Sequence, residues 1–207
     1  MVALTAGCAG EPAAAPPPST TTTTTTTAPP TPEQLNERAK AAMASPDAFA
    51  ATGGKVKTNV PATDAEVGAD GQVVSMICGG RKIMVDGTSV TRSRLWTWKT
   101  TVFQEVHAMA DRTAATLVNT VETGLTACTT ARSVEQLTTL AKPEGVDDFY
   151  AYCEATLDPT VSPFACYALL GRGTLISQVI MFGRSKEAAG AELASVLPVF
   201  VPSFVKA

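Results

Sequence analysis

Phe164-Ala165-Cys166-Tyr167-Ala168-Leu169-Leu170-Gly171-Arg172-Gly173-Thr174-Leu175-Ile176-Ser177-Gln178-Val179-Ile180-Met181-Phe182 reads as two apolar strands around a tight turn. Phe164 to Leu170 and Thr174 to Phe182 are β-rich, and Gly171-Arg172-Gly173 supplies the reversal. Just upstream, Asp148 to Leu157 carries Tyr150, Tyr152 and Cys153 in a third strand, followed by the loop signal Asp158-Pro159. Three consecutive antiparallel strands put an antiparallel sheet at the centre of the fold. Downstream, Ser185 caps a helix with Ala189, Leu193, Val196 and Leu197 on one face. Pro198 is expected to close it, leaving Val199 to Val205 as an apolar tail packed on the domain.

Working toward the N-terminus, Ala114, Leu117, Val121, Leu125 and Cys128 recur at spacings of three or four. They predict a helix capped by Asp111, with the Cys128 thiol turned to the core. Val134 to Leu140 reads as a short strand before the turn Pro143-Glu144-Gly145. Val90 to Met109 fits both a strand and a helix. Its β-branched and aromatic content favours one long strand, with Arg92, Arg94, Trp96 and Trp98 on one face. Gln72 to Cys78 reads as a buried strand, broken by Gly79-Gly80. Lys82 to Val85 reads as a further short strand before the turn Asp86-Gly87. Gly53 to Asp70 reads as loop or short edge strand. Thr31-Pro32-Glu33-Gln34 is a capping box opening a helix to Ala44, stopped by Ser45-Pro46 and expected on the surface. The class is α+β: an antiparallel sheet with packed helices.

The chain has 207 residues, 45% of them hydrophobic and 17% charged, enough for a real core in residues 32–207. A net charge of −3 gives no footprint for nucleic acid. The single histidine, His107, excludes a histidine-rich metal centre and leaves one base for Ser-His or Cys-His chemistry. No G-x-S-x-G, P-loop or G-x-G-x-x-G is present, and no cofactor is indicated. Asp147-Asp148 and Asp64 with Glu66 lack the pattern of an EF-hand and read as solvated loop acids. Arg92, Arg94, Trp96 and Trp98 are the most suggestive ligand-binding cluster, with a tryptophan at the edge of a cleft. The competing reading makes the tryptophans core and the arginines their exposed rim.

Five cysteines is an odd number. Ala6-Gly7-Cys8, after the short apolar run Val2 to Leu4, resembles a bacterial lipobox, in which the cysteine is lipidated after cleavage. Thr5 stands where an aliphatic residue is commonest. Residues 1–7 are then expected to be the remnant of a longer signal peptide. Residues 8–31 carry Pro16-Pro17-Pro18 and an unbroken threonine run, Thr20 to Thr27. They hold almost no large apolar side chain and are expected to form an extended tether, either plain or O-glycosylated. No segment approaches 18 consecutive apolar residues, so the lipid is the expected membrane anchor. The other four cysteines suit two disulfides in an exported domain. Three pairings exist. Neighbouring strands favour Cys153 with Cys166, which leaves Cys78 with Cys128. A four-thiolate zinc site would need closer cysteine pairs.

The lipobox, the Thr/Pro tether, the helix from Thr113 to Cys128 and the stretch quoted above occur together. This combination resembles actinobacterial, mycobacterial-type lipoproteins carrying a PknH-like extracellular sensor domain, over Gln72 to Val205. The resemblance implies an antiparallel sheet with helices, two disulfides and a cleft. It also implies a ligand-binding or sensing role, with ligands generally undefined. With the lipid anchor and no catalytic motif, the expected protein is a non-enzymatic binder of an unidentified small molecule, lipid or glycan on the outer face of the cell membrane. Without a kinase segment, sensing would require an envelope protein partner. An accessory subunit of an envelope complex and a hydrolase using His107 are the alternatives.

Overall fold

The computed structural model describes residues 28–57, 66–68, 72–78, 81–85, 87–128, 134–156 and 162–207. The lipobox-like stretch ending at Cys8, the run through Thr27 and the loop signal Asp158-Pro159 lie outside the described residues. The first element is α1 (Pro32–Ala42), closed by the expected box. The Thr31 hydroxyl accepts from the Gln34 amide, and the Gln34 side chain accepts from the Thr31 amide. The surface position expected for this helix is corrected. Leu35, Ala39 and Ala42 form one wholly buried stripe, and alanine lets the backbone lie close to the sheet.

Edge strands β1 (Lys55–Val56) and β2 (Glu66–Gly68) follow. Next come β3 (Gln72–Ile77) and β4 (Arg81–Val85), which among the described residues pair only with each other. The long strand expected through Met109 is two strands, β5 (Ser89–Thr97) and β6 (Thr101–Met109). They form a hairpin with Leu95 opposite Phe103 and Thr97 opposite Thr101. The reversal at Trp98-Lys99-Thr100 contains no Gly, Pro, Asn or Asp, so no local signal marks it.

Helix α2 (Ala114–Thr126) starts after Thr113, not Asp111, and buries Ala114, Leu117, Val121 and Leu125. Cys128 lies just past its C-cap, Ala127. The strand expected from Val134 to Leu140 shrinks to β7 (Glu135–Gln136). β8 (Asp148–Ala155), β9 (Phe164–Arg172) and β10 (Leu175–Gly183) are the three consecutive antiparallel strands, with Gly173 at φ 53° in the last turn. Ser185 caps α3 (Lys186–Lys206) by accepting from the Ala188 amide. This helix passes through Pro198 and Pro202 instead of stopping at Pro198. Both prolines face outward, where water can reach the carbonyls they leave unpaired. Val196, Leu197, Phe200 and Phe204 anchor the opposite side. By length and composition α3 resembles a membrane span, yet its inner side packs on the sheet.

The main sheet runs β1-β5-β6-β10-β9-β8-β7, with β2 also beside β5, and every described pair is antiparallel. Alternation gives it two buried faces. The first packs under α1 and α3 through Val90, Trp96, Val106, Leu170, Val179 and Met181. The second packs under α2 and the β3–β4 hairpin through Leu117, Val121, Tyr152, Leu169 and Ile176. The disulfides are Cys78–Cys128 and Cys153–Cys166, so the molecule is an α+β domain with two such bonds.

Candidate functional site

The arginine and tryptophan cluster lies on the first face, against α1 and the segment after it. Trp96 is wholly buried, with its indole N–H donating to the Pro46 carbonyl at 3.0 Å. Phe49 and Phe200 meet its ring edge-on. Trp98 is half-buried, tilted on Phe49, with the Lys99 ammonium over its ring. Arg92 donates to Asn36 at 2.7 Å, and Arg94 donates to the Ala44 carbonyl. Desolvation, and then the neighbouring Arg92, lower the pKa of Arg94. These groups fasten α1 to the sheet. Gln104 does the same from β6, accepting from the Ala44 amide and donating to the Ala42 carbonyl.

His107 lies on the second face and is fully buried. Its Nδ1 is 2.7 Å from the Thr91 hydroxyl, and its Nε2 is 3.4 Å from Glu105 Oε1 without forming a hydrogen bond. Hydroxyl, imidazole and carboxylate therefore stand in a row. Burial pushes the imidazole pKa down to about 3, so it is neutral near pH 7 and a weak base. The short distance to Glu105 is a contact with neutral imidazole, not an ion pair.

Beside His107 the second face gathers further polar groups that sequence reading did not single out. The Ser75 hydroxyl, from the β3–β4 hairpin, meets the Tyr152 hydroxyl at 3.3 Å and accepts from the Gln178 amide at 3.1 Å. Ser75 and Gln178 are buried, and Tyr152 is wholly so. Tyr152 stacks on Tyr167 with ring centres 4.7 Å apart, and Tyr150 lies 5.9 Å from Tyr152. Desolvation dominates in raising the Tyr152 pKa, so this phenol stays protonated and can donate. The chain has three tyrosines, and all of them stand on this face, whereas its two tryptophans pack with the first. The signal for this was the two-residue period of Tyr150, Tyr152 and Glu154. The contacts themselves join residues as far apart as Ser75 and Gln178, which no local pattern reveals.

Grooves of 280, 320 and 300 Å³ lie beside Gly190, Gly54 and Thr120. A wider depression of 720 Å³ lies over the start of α1 beside Glu33 and Arg38, away from the buried polar groups. Among the described residues no group of three or more His, Cys, Asp or Glu side chains could hold a metal ion. The fold and this face define a disulfide-bonded α+β domain with a polar, aromatic floor beneath a separate hairpin. No family model, no curated protein and no solved structure matches the chain.

Proposed function

We propose that the chain is a non-catalytic ligand-binding or sensing lipoprotein of the cell envelope, of the mycobacterial PknH-like sensor type, anchored through Cys8 outside the cytoplasm. The floor of Tyr152, Tyr167, Gln178 and Ser75 carries this reading. Stacked phenols beside a side-chain amide suit a ring-bearing or hydroxylated ligand. Two disulfides in the folded domain support an exported location. The ligand is a small molecule, lipid or glycan, and signalling passes to an envelope protein partner. An accessory subunit that binds such a partner through this face is the nearest alternative.

The row Thr91, His107 and Glu105 favours a hydrolase as a second reading. Its chemistry is poor. A threonine hydroxyl is a weak nucleophile, and an imidazole with a pKa of about 3 draws its proton weakly. Native mass spectrometry of the protein purified from its own membrane tests the binding reading. A bound mass that is lost in Tyr167→Ala and Gln178→Ala is the expected result. An unliganded spectrum, with a hydrolytic turnover abolished by His107→Ala in a folded protein, would move the assignment to the hydrolase.

A further inference from the structure

We propose that the β3–β4 hairpin is a lid over the second face, latched by Cys78–Cys128, and that a dithiol reductant opens it while Cys153–Cys166 holds. Three observations meet here. Among the described residues the hairpin pairs with no strand of the main sheet, so no described backbone ladder ties it down. Its described ties are the Ile77 and Ile83 contacts with α2, the Ser75 hydrogen bonds to Tyr152 and Gln178, and the disulfide to the end of α2. An isolated two-stranded hairpin is marginal in water, so the covalent tie has a large share in holding it.

The two disulfides also differ in access. Cys78 and Cys128 are half-buried, whereas Cys153 and Cys166 are wholly buried on the first sheet face against the start of α3, where a reductant cannot reach them without lifting that helix. Finally, Cys78 is the only non-glycine among the described residues with a positive φ, 51°. That conformation is unfavourable for a side chain with a Cβ, and the bond to Cys128 helps to hold it. Gly79-Gly80 follow at once in the sequence.

In the exchange, a thiolate of the dithiol attacks one sulfur of the pair, and the S–S bond breaks. The other cysteine leaves as thiolate and takes up a proton, while a mixed disulfide forms. The second thiol of the reductant then attacks that mixed disulfide and releases the remaining cysteine. The pair gains two electrons and two protons, and the reductant departs as its own disulfide. The open lid uncovers Tyr152, Gln178 and Ile176. That this admits a ligand rests on the binding reading above; the latch itself does not.

The test uses the full chain with graded dithiothreitol, N-ethylmaleimide labelling and amide hydrogen exchange. Cys78 and Cys128 should be labelled at a reductant concentration at least tenfold below that for Cys153 and Cys166. With that pair open, amides of residues 72–78 and 81–85 should exchange at least tenfold faster, while β8 to β10 keep their protection. Cys78→Ser with Cys128→Ser should give the same pattern without reductant. Labelling of all four cysteines together, an opened pair with an unchanged hairpin, or failure of the double variant to fold would each overturn the proposal. None of these readouts contains a ligand, so the latch and the binding reading stand or fall separately.

Discussion

A neutral imidazole sealed beside a carboxylate sets a pH dependence that can be worked out from His107 alone. Its pKa in the folded chain, about 3, is below the ordinary value of 6.5. As pH falls through 6.5 the unfolded chain takes up a proton that the folded chain refuses. Stability therefore declines from near pH 6.5 down to about 3. Between pH 6.5 and 4.5 this group alone should remove about 2 kcal/mol. Urea unfolding of His107→Gln, which keeps a polar partner for Thr91, should show that slope reduced. An unchanged slope would mean that His107 reaches water in the native state. The sequence marked His107 as the one base for Ser-His or Cys-His chemistry, and it offered the core reading of Trp96 that its burial bears out. It could not mark Ser75 or Gln178 as partners. A serine on a short strand and a glutamine on an apolar one look ordinary until the hairpin lies over the sheet.

At the scale of elements, legibility followed the strength of local chemistry. The capping box at Thr31, the cap at Ser185 and the three strands from Asp148 to Gly183 were all readable, because turn and cap residues announce them. The β5–β6 hairpin was not, since Trp98-Lys99-Thr100 carries no turn residue and the alternation runs through it. The end of α3 was misread because a proline rule for helix interiors overlooks an exposed outer face and a deep apolar inner one. Thr31→Ala should lower stability by about 1 kcal/mol, as loss of an N-cap does, measurable by chemical unfolding. A null effect would show that the buried stripe of α1 and the bonds from Arg92, Arg94 and Gln104 hold it without the cap. Gly124 on α2 has a packing role. A Cβ there would lie 2.5 Å from Ile77 Cδ1 and 3.8 Å from Ile83 Cδ1. Gly124→Ala should therefore destabilise by about 1 kcal/mol despite its better helix propensity, since overpacking outweighs the gain. Adding Ile77→Val should recover that loss, and a double-mutant cycle measures the coupling. Additive effects would place the hairpin farther from α2.

For the whole molecule, the two disulfides divide the labour. Cys153–Cys166 joins adjacent strands across 13 residues and Cys78–Cys128 closes a separation of 50. Loop entropy assigns roughly 3 kcal/mol to the shorter ring and about 4 kcal/mol to the longer. Removing the buried pair should lower the melting temperature of the entire sheet in one cooperative transition, while removing the other should loosen the hairpin first. Two transitions after loss of Cys153–Cys166 would contradict that division. The central claim is that the second sheet face receives a ligand, and the distribution of aromatic residues gives it a direct reporter. Tyrosine lies on that face and tryptophan packs with the other. The decisive measurement is an NMR spectrum of protein labelled at tyrosine and tryptophan rings, with Cys78–Cys128 opened by a dithiol reductant, titrated with a lipid and glycan extract of its own envelope. The account predicts shifts for Tyr150, Tyr152 and Tyr167 with Trp96 and Trp98 unmoved; shifts confined to the tryptophans, or no shift at all, would contradict it.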